Sequence, residues 1–256
     1  MKNLLFILLT VLISLAYSQA SFAVCVEGPP NTFTCNTNPP NPDPDGIQLP
    51  TGSPPVTVTM LPGSGIDTIP ANGGNGGQGI ATGNNNDQIT ITGASIAANS
   101  GGISSRNGID TITVTDSVFT TTSDCIDKGF LGGGVINITG STLLSTANDV
   151  VEGGGDNDVI FVSYSTLTTQ GAPNSEAIDL NSGDDELTLG TGVVLTSIND
   201  DLIECGSGFD TIIFAMAVPQ SKIESISAEI ASKNPAGDSI TINGLFYDWK
   251  DCEELV

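Results

Sequence analysis

The sequence predicts an all-β fold, a right-handed parallel β-helix (a β-solenoid) with coils of about 24 residues. Three observations lead to this prediction. Short β-branched strands recur at a nearly constant spacing, two further apolar elements follow at the same spacing, and turns rich in Gly and Asn separate them. Three short strands per repeat describe one coil of a three-sided solenoid.

The first strand of each repeat alternates Ile, Val or Leu with Thr, and these strands begin near positions 87, 110, 135, 158, 186 and 210. A strand this short cannot bury its apolar side alone, but stacked coils let each strand pair with the coils above and below. The alternation predicts one inward column of apolar side chains. Its members are Ile89, Ile112, Ile136, Ile160, Leu187 and Ile212.

The second element begins with Ser or Val, as in Ser95–Ile96 and Ser141–Leu143, and the third is a single apolar residue before a Gly-rich turn. We expect Thr and Ser to point outward, with Gly and Asn at the corners. An antiparallel sandwich would need two-residue hairpins, and a leucine-rich repeat would need its Leu signature. Neither pattern is present. The third-element residues are Ile80, Ile103, Ile126, Val151, Ile178 and Ile203.

The chain divides into four predicted regions. Lys2, an apolar run and Ser21–Ala23 indicate a signal peptide over 1–23, because the run is too short to span a bilayer as an anchor. A Pro- and Asn-rich segment, 24–55, leads into the β-helix over 56–219. Residues 220–256 form a cap with a helix over 221–233 and a final strand. We therefore expect a secreted or cell-surface protein with no transmembrane segment in the mature chain.

All five cysteines follow the predicted signal peptide, so an oxidising compartment allows disulfides. Cys25 and Cys35 lie ten residues apart around a turn, and we predict that they are bridged. Of Cys125, Cys205 and Cys252, at least one is then unpaired within the chain. The cap is expected to bring Cys252 to the last coil, where Cys205 is a candidate partner.

The chain carries 6 basic and 29 acidic residues and a net charge of −23. Such a surface repels nucleic acid and attracts cations, so no nucleic-acid partner is expected. The absence of His excludes Ser-His triads and His-ligated zinc.

Carboxylates recur at fixed places around the third element of the last four coils. Stacked at a strand spacing they repel one another, and Ca²⁺ is a cofactor that suits irregular sets of oxygen ligands. The alternative is that they are solubilising corners that cap turn amides. The candidate ligands are Asp124, Asp127, Asp149, Glu152, Glu176, Asp179, Asp201 and Glu204. A third acidic column precedes the first strand, interrupted near Gly134: Asp67, Asp87, Asp110, Asp158, Glu186 and Asp210.

Two turns, Gly63–Asp67 and Gly206–Asp210, resemble part of the calcium-binding nonapeptide of secreted repeat toxins. That motif recurs every nine residues in the toxins and once per coil here, so its ligand set does not transfer. The mature chain resembles bacterial secreted right-handed β-helix proteins, including autotransporter-type passengers and adhesins. The segment from Cys25 to Cys35 is similar to their disulfide-clipped start. The resemblance implies architecture and secretion.

The function that the sequence favours is a non-catalytic, adhesin-like protein, with an extracellular polysaccharide or a host or cell-surface ligand as its partner. The alternative is a calcium-dependent polysaccharide lyase or a glycoside hydrolase. A lyase needs a basic residue to remove a proton, and Arg106 and Lys128 are the candidates. The other interpretation of these two residues is a pair of solvated corner cations.

Overall fold

In a computed structural model of the chain, the described residues form a parallel β-solenoid of about seven turns, which confirms the predicted fold class. The described residues are 25–28, 30–35, 46–70, 76–171, 174–198, 202–215, 238–242, 245–252 and 254–255. The predicted signal peptide, the predicted helix over 221–233 and the candidate ligand Asp201 lie outside them.

Three sheets run along the solenoid, and each of the six central coils contributes one strand to each sheet. The first sheet contains β1 (Cys25–Gly28), β2 (Thr32–Cys35), β4 (Thr57–Met60), β7 (Gln88–Thr92), β10 (Gly108–Thr115), β13 (Gly132–Thr139), β16 (Asp158–Ser163), β19 (Glu186–Leu189), β22 (Thr211–Phe214) and β25 (Glu254–Leu255). The second contains β5 (Gly65–Asp67), β8 (Ser95–Ala98), β11 (Val118–Thr121), β14 (Thr142–Ser145), β17 (Thr166–Thr169) and β20 (Val194–Thr196). The third contains β3 (Ile47–Gln48), β6 (Ile80–Ala81), β9 (Ile103–Ser104), β12 (Ile126–Asp127), β15 (Val151–Glu152), β18 (Ile178–Asp179), β21 (Ile203–Glu204), β24 (Leu245–Lys250) and β23 (Asp238–Ile242).

The predicted inward column of the first sheet is confirmed. Its six apolar residues, from Ile89 to Ile212, are paired coil to coil, and each is 0% exposed. The third-element residues from Ile80 to Ile203 are paired in the same way and are also fully buried. Because adjacent coils place like side chains on top of one another, the interior is one continuous apolar core.

A ladder of serines lies inside the solenoid where the second strand begins, so the expectation that Ser points outward is wrong at these positions. Ser117, Ser141 and Ser165 are buried. Their hydroxyls accept the backbone N–H of the preceding coil, from Ala94, Ser117 and Ser141, at 3.1–3.2 Å. Each hydroxyl also donates to the carbonyl two residues earlier in its own coil. A hydroxyl that is satisfied in both roles can be buried at little cost.

Both ends of the solenoid carry additional strands and a disulfide. β1 pairs antiparallel with β2 and sets Cys25 opposite Cys35, which are bonded as predicted. At the other end β24 and β25 pair with β21 and β22, and β23 pairs antiparallel with β24. Cys252 is bonded to Cys205. These strands satisfy backbone groups that an open edge would expose to a second chain.

Cys125 is a free, buried thiol, and burial raises its pKa to about 12. Because the thiolate is the reactive form, we expect iodoacetamide to leave Cys125 unmodified in the folded protein and to modify it after denaturation. Non-reducing peptide mapping should recover Cys25 linked to Cys35 and Cys205 linked to Cys252. Alkylation of Cys125 at the same rate in native and denatured protein would contradict this prediction.

Candidate metal centre

The strands of the third sheet place acidic side chains in adjacent coils. β12, β15, β18 and β21 pair in register, so that Asp127, Glu152, Asp179 and Glu204 follow one another along the solenoid. The second predicted column runs beside the first through Asp124, Asp149 and Glu176. Each two-residue strand has one buried apolar residue facing inward and its acidic neighbour at the surface. The alternation of side chains along a strand therefore turns the carboxylates of the first column outward, which are those of Asp127, Glu152, Asp179 and Glu204.

Five of the eight predicted ligands come together in two groups that could hold a metal ion. The carboxylate oxygens of Asp124, Asp149 and Glu152 lie within 4.8 Å of one another, and so do those of Asp149, Glu176 and Asp179. Asp149 belongs to both groups. We call these five residues the acidic edge.

Of the remaining predicted ligands, the two that lie among the described residues, Asp127 and Glu204, are in neither group. The two carboxylate oxygens of Asp127 accept the Gly129 N–H at 2.6 Å and the Ser104 hydroxyl at 3.2 Å. Asp127 therefore caps its own turn, as Asp179 does through the Asn181 N–H. Glu204 stands next to Asp179 in the register, but it is not in either group.

Burial raises the pKa values of four of the five carboxyl groups of the acidic edge. The pKa of Glu152 is raised to about 7, first by burial and then by Asp124 and Asp127. Burial is also the main cause that raises the pKa of Asp124, of Asp149 and of Glu176, and for Glu176 the negative charge of Asp149 adds to it. The ionised form of these carboxyl groups is therefore disfavoured, and a bound cation would stabilise it.

One oxygen of the acidic edge is buried without a hydrogen-bond partner. Asp124 is only 7% exposed, and its Oδ2 accepts the Ser123 hydroxyl at 2.9 Å, while its Oδ1 has no partner. Asp149 Oδ1, in contrast, accepts the Glu176 N–H at 2.7 Å. A buried carboxylate oxygen without a donor is costly unless a ligand pairs it. Asp124 Oδ1 therefore points to a cation independently of the charge count.

A surface cleft adjoins the acidic edge at Glu152. Phe130, which is 87% exposed, lines the cleft together with Asn181 and Ser182. This aromatic surface was not predicted from the sequence. The signal that could have revealed it is the position of Phe130 in a Gly-rich turn rather than in an alternating strand.

A second set of carboxylates lies inside the solenoid, in the first sheet. Asp87, Asp110, Asp158, Asp185 and Asp210 are each at most 3% exposed; we call them the internal aspartate ladder. Oδ1 of four of them accepts a backbone N–H from the preceding coil. The pairs are Val56 to Asp87 at 2.8 Å, Asp87 to Asp110 at 2.7 Å, Asp158 to Asp185 at 2.7 Å and Asp185 to Asp210 at 2.9 Å.

Two assignments in the predicted third column are wrong. Asp67 lies in β5 of the second sheet, where its neighbour Ile66 pairs with Ile96. Glu186 is exposed, and Asp185 takes the inward position one residue earlier. The strand alternation explains the second error, because Asp185 shares the inward face with Leu187 and Leu189.

Lys128 occupies the place where the internal aspartate ladder is interrupted. It is 0% exposed, its Nζ lies 3.8 Å from Asp110 Oδ2, and it donates to the carbonyl oxygens of Asp110 and Gly133. Gly134 stands between Asp110 and Asp158 in the register, with a φ of +128°. A Cβ there would lie 3.0 Å from Nζ. The expectation of a solvated corner cation is therefore wrong for Lys128. Arg106, its predicted companion, is partly exposed.

No protein-family model, curated protein or solved structure matches the chain. Among the described residues, none forms a helix with the length and apolar character needed to cross a membrane. The two disulfides are typical of an oxidising, extracellular environment. The chain is thus a two-disulfide β-solenoid whose acidic groups could hold a metal ion.

Proposed function

We propose that the protein is a secreted or cell-surface, non-catalytic solenoid of adhesin type, whose acidic edge binds Ca²⁺. The observation that carries this proposal is the pair of three-carboxylate groups that share Asp149 and contain the unpartnered oxygen of Asp124. Their ligands come from three successive coils. A bound ion would therefore connect neighbouring coils to one another.

Calcium suits this donor set better than other common metals. Every donor is a carboxylate oxygen, whereas zinc and copper sites favour His nitrogen or thiolate sulfur. The groups are irregular, which Ca²⁺ tolerates and Mg²⁺ does not. Extracellular modules bind Ca²⁺ with dissociation constants of about 10⁻⁴–10⁻³ M, and we expect this range here.

The exposed Phe130 beside the calcium ligand Glu152 supports an extracellular polysaccharide as the ligand. Aromatic rings offer an apolar face to a sugar, and neighbouring polar groups fix its orientation. A polyuronate lyase with Arg106 and Lys128 as its cations is not supported, because Lys128 has no exposed surface with which to reach a substrate.

Calcium should raise the stability of the folded protein. If only the folded form binds, the gain is about 2.7 kcal/mol at a hundredfold excess over Kd. For a domain of this size that corresponds to an increase in Tm of about 5–10 °C. Sodium at equal ionic strength should do much less, because screening does not replace coordination. The measurement is thermal unfolding of chelator-treated protein during a calcium titration.

The double variant Asp149→Asn/Glu152→Gln should lose the calcium response and gain stability in the absence of calcium. The matched control is Asp156→Asn/Glu186→Gln, which removes the same charge from two exposed carboxylates elsewhere. The control should keep the full response. If calcium raises the Tm of the wild-type protein no more than sodium does, the acidic edge does not bind calcium. Its carboxylates would then serve only the solubility of the protein.

A further inference from the structure

The interior of the solenoid contains an amine and two carboxyl groups that the proposed calcium site does not use. Lys128, Asp110 and Asp158 are 0%, 0% and 1% exposed. In the register Asp110, Gly134 and Asp158 follow one another, and Gly134 leaves the space into which the Lys128 side chain extends. Lys128 therefore belongs to the coil between those of the two carboxyl groups, and its Nζ lies 3.8 Å from Asp110 Oδ2.

The two oxygens of Asp110 have different surroundings. Oδ1 accepts the Asp87 N–H at 2.7 Å. Oδ2 has no hydrogen-bond partner and lies 3.8 Å from Lys128 Nζ, an ion-pair contact that is too long for a hydrogen bond. The Asp87 N–H is placed to polarise the C–Oδ1 bond and to stabilise negative charge on Oδ1.

The two oxygens of Asp158, in the next coil, also have different surroundings. Its Oδ2 accepts the Gly154 N–H at 2.8 Å, and its Oδ1 is buried without a partner. An unpartnered carboxylate oxygen in an enclosed site can accept a proton and return it.

We propose that Lys128 and Asp110 form an intramolecular isopeptide bond, with Asp158 as the carboxyl group that transfers the proton. Lys128 Nζ attacks Cγ of the protonated Asp110 carboxyl group. The C–N bond forms, the bond from Cγ to Oδ2 breaks, and Oδ2 leaves as water. Asp158 takes the proton from Nζ, delivers it to the leaving oxygen and ends as it began. The amide keeps Oδ1 and its hydrogen bond from Asp87.

Burial favours the neutral reactants over an ion pair. It lowers the pKa of Lys128, raises that of Asp110 and raises that of Asp158 to about 6. An amine is nucleophilic only when neutral, and an acid loses its hydroxyl oxygen more readily when protonated. The fold holds both groups in place, which replaces a collision in solution. The burial of all three groups also keeps water from hydrolysing the product.

Mass spectrometry of the full, reduced and denatured protein tests the bond. The mass should be one water lower than the mass calculated from its own amino terminus. Chymotrypsin cuts after Phe119, between Asp110 and Lys128, and the two resulting peptides should remain joined. A succinimide would give the same mass loss, but it would let the peptides separate. Trypsin should not cut after the modified Lys128.

Three variants make the assignment specific. Asp110→Asn should lose ammonia instead of water and give the same branched product with the same final mass as wild type. Lys128→Met and Asp110→Ala should keep their full calculated mass. Wild-type protein that shows its full mass, and whose two chymotryptic peptides separate, would overturn the proposal whether or not any variant folds.

Discussion

Replacing Ile160 by Asp is expected to abolish folding. Ile160 is 0% exposed, and it pairs with Ile136 on one side and Leu187 on the other inside the inward column. An aspartate there would be a buried charge with apolar neighbours above and below, and such a group costs more than about 4–5 kcal/mol. That loss is comparable with the whole stability of a typical domain, about 5–15 kcal/mol. The measurement is the yield of soluble protein and its unfolding curve in urea.

Val159→Asp is the matched control, because Val159 is the adjacent residue of the same strand and is 45% exposed. It should cost about 1 kcal/mol or less, through lower β propensity and repulsion from the neighbouring Glu186. A soluble Ile160→Asp protein with the same unfolding midpoint as the control would mean that the inward and outward faces of β16 are reversed.

In the absence of divalent cations, the protein is expected to be more stable at about pH 5 than at about pH 8. The pKa values of Glu152 and Asp185 are raised to about 7 and that of Asp158 to about 6, mainly by burial. An acid whose pKa is higher in the folded state holds its proton more tightly there. Its contribution is full below the ordinary value near 4 and is lost as the pH rises from there through the folded-state pKa of about 6 to 7. Between its unfolded-state and folded-state pKa values, each such group contributes a slope that approaches about 1.4 kcal/mol per pH unit.

Two variants distinguish the contribution of the acidic edge to this pH dependence from that of the internal aspartate ladder. Asp149→Asn/Glu152→Gln should remove the part of the slope that belongs to the acidic edge, and saturating calcium should have the same effect on wild type. Asp185→Asn should remove part of the internal contribution, because an Asn oxygen can still accept the Asp158 N–H. The measurement is urea unfolding in chelator at constant ionic strength. A free energy of unfolding that rises from pH 5 to pH 8 would contradict the prediction.

The period and the core could be predicted from the sequence because they depend on a strong local signal. Ile, Val and Leu alternate with polar residues in short segments that return every coil, and burial of the apolar residues decides which face points inward. The disulfide of Cys25 and Cys35 could be predicted for a similar reason, since a single turn joins the two strands. These features depend only on residues that are close in sequence or that occupy equivalent positions in successive coils.

The internal polar ladders could not be predicted in the same way. Ser141 and Asp110 are residues that usually face solvent or cap turns, and only the stacking of coils supplies the backbone donors that satisfy them inside. Lys128 was misplaced for the same reason, since its amine donates to the carbonyl oxygen of Asp110 in the neighbouring coil. The signal that could have revealed it is that the coil between those of Asp110 and Asp158 has Gly134 in place of an inward aspartate and carries a lysine four residues before its first strand.

The acidic edge was predicted more completely than the function that it could serve. Residues at fixed offsets from the third strand were recognised as columns, and five of them meet in two groups. Asp127 shows the limit of that reasoning, because the spacing does not specify which carboxylates approach one another: Asp127 pairs with the Gly129 N–H and with Ser104 of the neighbouring coil, and it belongs to neither group.

The lysine within the internal aspartate ladder makes the coils unequal. A solenoid whose repeats were interchangeable could lose, gain or exchange whole coils during its evolution, because each coil contacts only its two neighbours. Here the coil that carries Lys128 and Gly134 separates Asp110 from Asp158. Deleting that coil would stack Asp110 directly against Asp158 and remove the amine that the proposed bond requires, and duplicating it would bury a second lysine side chain. Coils should therefore be gained or lost during evolution only at positions away from this coil. The coil that carries Lys128 should itself be retained.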